Sequence, residues 1–488
     1  MSSDEYKMSI KEPRGITILV TGAGGYIGSH ACLALLEAGF NVIALDNMVN
    51  CWKDDRLPQP ESLIRVQILA GRQLKFYHGE LLCKPSLEKI FVDIIQEHKK
   101  IDVCMHFAAL KAVGESCAKP LEYYKNNITG TMNLIELLEK FGCKSLVYSS
   151  SATVYGDPSN LPISENELTG VGLTNPYGKT KYMTEEILKD LCNAIQMKMI
   201  LEDPKGFYLP VQAEQEAIDL LRNVMQDMLQ PNERSKNLER LKNENTFLRH
   251  ILRWFVDTRE KLPIREDFLR GANCTSPEGK TKFICEEILK DLTTAKKDWG
   301  VISLRYFNPV GAHVSGLIGE DPNGIPNNLV PFVAQVAAGK LPKLKVFGGD
   351  YPTKDGTGVR DYIHITDLIT GHIKALEFIL KDFKGFKAYN LGTGKGYSVL
   401  DVIRAFREAS GKDIPYEIVD RRPGDIAASY CDASLAEKDL GWIATRDIHD
   451  MCQDVWRWQS RNINGFKKET DPNCILHSPK NWNCCYLV

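Results

Sequence analysis

No stretch of this 488-residue chain approaches the roughly 18–20 consecutive apolar residues of a membrane span. Met1 to Arg14 is polar and lacks the apolar core of a signal peptide, so secretion is not expected. Fourteen cysteines are scattered without CxxC spacing, and only Cys484 and Cys485 are neighbours. That usage speaks against a disulfide-stapled fold and for reduced thiols in a cytoplasmic protein. No Cys or His pair recurs at zinc-ligand spacing, so no metal is expected. Neither sign of charge is in excess: 61 Lys and Arg against 63 Asp and Glu leave a formal charge of -2. Nucleic-acid and membrane-surface roles, which usually bring a basic bias, gain no support.

What the chain does have is a globular composition, 43% hydrophobic and 25% charged, at a length that suits two or three domains. The run Ile16 to Val20 suits a buried parallel strand. A glycine-rich turn, Thr21 to Gly28, follows, then a helix from Ser29 to Ala38 with Gly39 as its stop. Asn41 to Leu45 makes a second strand, ending at Asp46. The alternation continues with strands at Asp102 to Phe107, Ser145 to Ser149, Val301 to Tyr306 and near Tyr389 to Leu391. Helices are expected at Asn126 to Phe141, at Ser398 to Ala409 and around Trp456 and Trp458. Such alternation predicts an α/β fold with a parallel sheet covered on both faces.

The middle departs from this pattern. From about Gln212 to Lys261, apolar positions such as Leu221, Met225, Met228 and, after Pro231, Leu241, Leu248 and Leu252 fall at helical spacing. Two amphipathic helices, a small helical insert, are expected there. A repeat brackets it: Thr174 to Ala194 and Thr275 to Ala295 agree at fourteen of twenty-one positions, at a constant offset of 101. One repeat is too few for a solenoid, and a duplicated segment is the simpler account.

Two constellations carry chemistry. In the first, Gly22 permits a tight turn, Gly25 lets backbone approach a pyrophosphate, and Gly28 allows close helix–sheet packing. The helix N-terminus beyond offers N–H groups and a positive dipole end to phosphates. Asp46, eighteen residues past Gly28, stands where a carboxylate accepts bonds from both ribose hydroxyls and repels the extra phosphate of NADP, which favours NAD. In the second, Ser149-Ser150-Ser151 ends a strand, and Tyr177 and Lys181 follow one helical turn apart, Tyr177 twenty-six residues beyond Ser151. A lysine ammonium beside a phenol favours the phenolate, and a nearby serine hydroxyl can pass or hold the proton.

The blocks TGAGGYIGSH, HFAALKAVGES, YSSSATVYG, NPYGKTK, RYFNPVGAH, IPNNL, GTGVRDYIH, YNLGTGKGYSV and RRPGD occur in one order. In that order the chain resembles the UDP-glucose/UDP-galactose 4-epimerases, extended short-chain dehydrogenases, over roughly residues 15–194 and 295–466. The resemblance implies a Rossmann-type doubly wound parallel sheet with a smaller C-terminal α/β substrate domain. It implies NAD among Gly22, Gly25, Tyr26, Ile27, Gly28, Asp46, Asn47, Phe107, Ala108, Lys111, Asn127, Ser149, Tyr177, Lys181 and Tyr306. Glu80 and Leu81 are expected at the adenine, Glu80 where the family usually has Asp. Asn308, Asn328, Leu329, Arg360, Arg422 and Asp425 are expected to hold a UDP-sugar, with Lys111, Ser151 and Tyr177 reaching it as well. Ser429, four residues past Asp425, would border the sugar 2-substituent and leave room for an N-acetyl group. Catalysis would fall to Ser151, Tyr177 and Lys181, in a homodimer. Ala109 replaces a usual glycine, and His364 reads as structural rather than catalytic.

Two rivals remain at this stage. Nucleotide-sugar 4,6-dehydratases place an Asp-Glu pair after the strand-end Ser or Thr, where this chain has Ser151-Ala152-Thr153. A non-catalytic NAD-binding sensor or scaffold, its site spoiled by the insert, is the other. The expected division is 1–194 for the NAD-binding domain, 195–295 for the insert, 296–466 for the remaining strands and the UDP-sugar domain, and 467–488 for a disordered tail. Cys485-Tyr-Leu-Val488 has the bare form of a prenylation site, so membrane contact is expected only if Cys485 is lipidated.

Overall fold

The computed structural model describes residues 14–52, 57–111, 119–152, 161–163, 298–322, 324–421 and 425–467. These all belong to one compact unit, Met1–Cys192 with Gly271–Val488. The insert, both copies of the repeat, and the tail beyond Lys467 lie outside the described residues, as do Tyr177, Lys181, Arg422 and Cys485.

The first half alternates as its periodicity predicts. Strand β1 (Thr17–Thr21) leads to α1 (Tyr26–Glu37), β2 (Asn41–Asp46), α2 (Glu61–Ala70), β3 (Lys75–His78), α3 (Lys84–His98) and β4 (Val103–His106). Next come α4 (Pro120–Tyr124), a π-helical turn (Lys125–Thr129), α5 (Gly130–Lys140) and β5 (Ser145–Ser149). After the undescribed stretch the chain resumes with β6 (Gly300–Tyr306) and β7 (Asn308–Val310). Then follow α6 (Leu329–Ala337), β8 (Leu344–Phe347), β9 (Val359–His364), α7 (Ile365–Ile379) and β10 (Gly385–Leu391). The last are β11 (Gly396–Ser398), α8 (Val399–Ser410), β12 (Tyr416–Val419), β13 (Ala428–Ser429), α9 (Ser434–Leu440) and α10 (Ile448–Arg461).

Seven strands form one sheet in the order β10-β6-β5-β4-β1-β2-β3, every pairing parallel. Strand order reverses between β1 and β4, and ligands of such sheets bind outside the carboxyl ends at that switch point. Burial explains the run of apolar residues. All five residues of β1 are buried, Ile18 and Val20 packing on one face with α1 and α7, Leu19 on the other with α3 and α5. A smaller lobe gathers around β9, which pairs with β7, β11 and β13, while β8 pairs with β12. Its core lies between α6, α8 and α10, with Val333, Phe406 and Met451 fully buried.

Three expectations shift. Helix α1 starts at Tyr26 rather than Ser29, because Gly25 already has the extended conformation of an N-cap. The helix expected over Asn126 to Phe141 is interrupted at its start by the π-helical turn. Ser398 stands outside α8 as its N-cap, in a capping box with Asp401. Helices α2, α3, α4, α6, α7 and α9 and strands β7, β8, β9, β11, β12 and β13 have no counterpart in the sequence pattern.

Candidate functional site: a glycine-turn groove at the sheet's switch point

At the end of β1 the backbone turns through Gly22, whose φ of +69° suits glycine; a Cβ there would stand 2.7 Å from the Ala108 nitrogen. A Cβ on Gly28 would lie 2.1 Å from the Gly22 carbonyl oxygen, so α1 can close onto the turn only with glycine here. Gly25 is different, since its nearest neighbour would be 3.4 Å away, and its face is open to an approaching group. No side chain caps α1, which leaves the positive end of the helix for an anion.

Asp46 ends β2 facing this turn. Its Oδ2 accepts from the Gly24 N–H at 2.9 Å and its Oδ1 from the Met48 N–H at 2.6 Å. Burial pushes its carboxyl above the usual carboxylate range, and those two N–H donors pull it partly back. Asn47 donates from Nδ2 to Glu80 Oε2 at 2.8 Å, and the Leu82 N–H donates to Glu80 Oε1. The longer Glu80 side chain is thus held in place locally. Tyr26 donates to the Gly311 carbonyl at 2.8 Å; burial, with Glu320 nearby, raises its phenol well above the ordinary value. His30 is held down to about 3 by burial, its Nδ1 donating to the Tyr26 carbonyl, and is therefore neutral.

Behind the switch point, His106 links Thr21 (2.6 Å) to Thr131 (3.0 Å), and Thr131 donates to the Asn127 carbonyl. Asn127 itself is buried and holds both the N–H and the C=O of Leu110, which sets the backbone beside Lys111. Ser149 and Tyr306 share a hydrogen bond of 2.8 Å between their hydroxyls, joining the ends of β5 and β6. Ser151 follows β5 and is buried.

A groove of about 790 Å³ runs along these parts. It is lined by Gly22, Gly25, Tyr26, Ile27, Gly28, Asp46, Asn47, Glu80, Leu81, Phe107, Ala108, Lys111, Tyr306 and Asn328. Asn127 supports it through Leu110 and Ser149 through Tyr306, and Ser151 is not part of its lining. Of the remaining substrate candidates, Asn308, Arg360, Asp425 and Ser429 gather at β9. Arg360 and Ser429 stand opposite each other in the β9–β13 register, and Arg360 lies 3.7 Å from Asp425. Asn308 donates to the Asp361 carbonyl, and Leu329 begins α6 and packs against the smaller core. His364 caps α7: its Nδ1 accepts from the Thr366 N–H and its Nε2 faces Asp454 at 3.2 Å. That geometry is a structural one, as expected.

Several lining residues escaped the sequence reading. Gly24 supplies the N–H to Asp46, Cys51 and Trp52 come from the segment after β2, and Glu320, Pro322 and Asn327 come from the loop before α6. The block Gly319-Glu-Asp-Pro322, with the turn residues after it, was a usable signal; nothing in the sequence marked Trp52.

Comparison with known proteins agrees with this geometry. Residues 18–244 match the model of the NAD dependent epimerase/dehydratase family, and residues 258–455 match that of GDP-mannose 4,6 dehydratase. The UDP-glucose 4-epimerase of Drosophila melanogaster is 45% identical over 451 residues, 92% of this chain and 98% of the relative. The chain belongs to the UDP-glucose 4-epimerases. The UDP-glucose 4-epimerase of Bacillus subtilis (strain 168) is 43% identical over 93% of this chain and 99% of its own. A crystal structure of the Bifidobacterium longum UDP-glucose 4-epimerase in complex with NAD+ and UDP superposes with a TM-score of 0.64. It is 39% identical and covers 92% of this chain and 99% of that one. The seven-stranded parallel sheet is thus that of an extended short-chain dehydrogenase. The match to a dehydratase model covers the second half, whereas the dehydratase acid–base pair is missing at Ser151-Ala152-Thr153. Among the described residues no helix is long and apolar enough to cross a membrane.

Proposed function

We propose that this chain interconverts UDP-galactose and UDP-glucose through a 4-keto sugar, using bound NAD. The observation that carries the reading is the cradle at Gly22, Gly25 and Gly28 with Asp46 beside it, in a chain of this family. That cradle fits a dinucleotide: the open face at Gly25 and the uncapped α1 suit its pyrophosphate, and Asp46 suits a ribose diol. Glu80 and Leu81 would border the adenine, and Tyr306 and Lys111 the other end. A dinucleotide held by these residues would supply reversible hydride exchange with the sugar C4.

The chain's own residues manage the proton and the sugar. Tyr177, as phenolate, accepts the proton of the 4-hydroxyl, and Lys181 keeps the phenolate accessible near neutral pH. Ser151 lies in the hydrogen-bond path. Arg360 and Arg422 retain the diphosphate while the keto sugar turns, since a guanidinium matches phosphate oxygens with paired donors. Ser429 leaves space beside the sugar 2-position, which extends the reading to UDP-N-acetylglucosamine and UDP-N-acetylgalactosamine. The active form is a cytoplasmic homodimer, as the family resemblance implies. The insert of residues 195–295 is outside this chemistry.

The test is conversion of UDP-galactose to UDP-glucose, with retained NAD measured spectroscopically on the same sample. Tyr177→Phe keeps the ring but removes the proton acceptor, and should lower kcat by about 10²–10⁴-fold with NAD still bound. Unchanged turnover in that variant would remove Tyr177 from the mechanism, and no conversion by the unmodified chain with NAD in place would favour a sensor instead.

A further inference from the structure

An acidic side chain faces the groove from the loop before α6. Glu320 is only 13% exposed, in a cleft that the reading above fills with two diphosphates, which a carboxylate repels. Its backbone is fixed from behind: Trp458 donates from Nε1 to the Glu320 carbonyl at 3.1 Å, and Gly319 lies so close to the Trp458 ring that a Cβ would be 2.5 Å from it. The neighbouring Asp321 accepts from the Phe466 N–H at 2.8 Å. Arg65 of α2 adds a brace, donating to the Leu317 carbonyl and to Asn462. The Glu320 side chain is thus carried on a backbone held in place from behind.

Two exposed side chains converge on it. Lys111, from the loop after β4, places Nζ 3.3 Å from Glu320 Oε1, and Asn328, the N-cap of α6, places Nδ2 3.3 Å from the same oxygen. The Lys111 ammonium also lies 6.0 Å from the centre of the Tyr26 ring, beside the start of α1. One Glu320 oxygen therefore joins a cation from the loop after β4 to an amide at the start of α6. Without that oxygen the long Lys111 and the shorter Asn328 would have more rotamers open to them, and a ligand would have to order them on binding.

We propose that Glu320 is a positioning residue for the diphosphate sugar: it orders Lys111 and Asn328 across the groove so that both meet the UDP part without further loss of freedom. This rests on the UDP-sugar reading above. What Glu320 supplies is a hydrogen-bond acceptor in a fixed place, and its charge is incidental to that task.

The experiment pairs two variants. Glu320→Ala removes the acceptor, and the Kd for UDP, measured by calorimetry on the NAD-loaded protein, should rise about fivefold to tenfold. KM for UDP-galactose should rise in step while kcat stays within about twofold. Glu320→Gln keeps an acceptor without the charge, and should restore Kd and KM to within about twofold of the unmodified chain. In a Lys111→Ala background, adding Glu320→Ala should cost less than it does alone, because part of what it ordered is gone. Unchanged or tighter UDP binding by Glu320→Ala would overturn the proposal, as would a Glu320→Gln variant as weak as Glu320→Ala. A lower melting midpoint with kcat falling at constant KM would mean Glu320 serves the fold alone, and would also overturn it. An unmodified, NAD-loaded chain that fails to bind UDP would instead overturn the UDP-sugar reading itself.

Discussion

The nucleotide wall and the β9 lobe of this molecule present polar groups in different ways. At the end of β1 the groove is made of backbone: the turn from Gly22 to Gly28, the open start of α1 and one carboxylate fixed by two N–H groups. At β9 the polar groups are side chains, and what is buried is their support. Asp361 is fully buried and accepts from the Thr393 N–H and hydroxyl, the Gly394 N–H and the Cys431 N–H. One carboxylate thereby fastens β9, the turn after β10 and Cys431 just past β13, with Arg360 on β9 and Ser429 on β13. A backbone cradle fails abruptly when an atom is added to it. A side-chain cluster fails by degrees, because neighbouring side chains can move.

The sharpest test of that contrast is Gly28→Ala. The new Cβ would collide with the Gly22 carbonyl, and overpacking of this kind costs about 1–3 kcal/mol or more. Purified protein should carry little NAD and melt at a lower temperature; retained NAD with an unchanged midpoint would show that the turn can yield. Asp361→Asn attacks the other region at its support. It removes the charge from a buried acceptor of four bonds, for an expected loss of about 1–3 kcal/mol in urea unfolding. KM for the UDP-sugar should rise while NAD content holds, and loss of NAD in parallel would erase the distinction between the regions.

Ser429→Tyr makes a smaller and more selective change. The side chain grows beside Arg360 at the edge of β13, and turnover of the acetylated UDP-sugars should fall about tenfold or more with UDP-galactose largely spared. Equal loss of both substrates would place Ser429 away from the sugar 2-position. The weakest effect is expected at Arg421, which donates from Nε to Asp350 at 2.7 Å and stacks 4.2 Å from the centre of the Tyr351 ring. That exposed pair is engaged on the surface, so Arg421→Met should leave KM within about twofold. A large rise would bring Arg421, and not only Arg422, into the diphosphate site.

Much of the nucleotide wall was legible because its parts are close in sequence. Gly22, Gly25, Gly28 and Asp46 lie on one strand–turn–helix–strand unit, and steric limits on glycine make their spacing a record of geometry. The strand runs were legible for a similar reason, as a parallel strand buried on both faces must be apolar along its length. Amphipathic helices such as α2 and α7 were missed where mixed polar and apolar residues gave no sharp boundary. The groove's remaining polar groups were harder still. Glu320 meets Lys111 across 209 residues, a separation that no sequence pattern records.

The sequence by itself determined the α/β class, the dinucleotide turn, the candidate proton-transfer pair Tyr177 and Lys181, and the family. The turn is a local signal, written in residues a few positions apart and enforced by backbone sterics, and the family is written in nine short blocks along the chain. Only the tertiary structure decided that Asn127 faces the Leu110 backbone, that Asp361 supports the lobe carrying Arg360, and that Glu320 meets both Lys111 and Asn328. A hydrogen bond depends on distance and direction in space, and strands whose neighbours come from far along the chain bring together groups whose separation in sequence carries no trace of their contact.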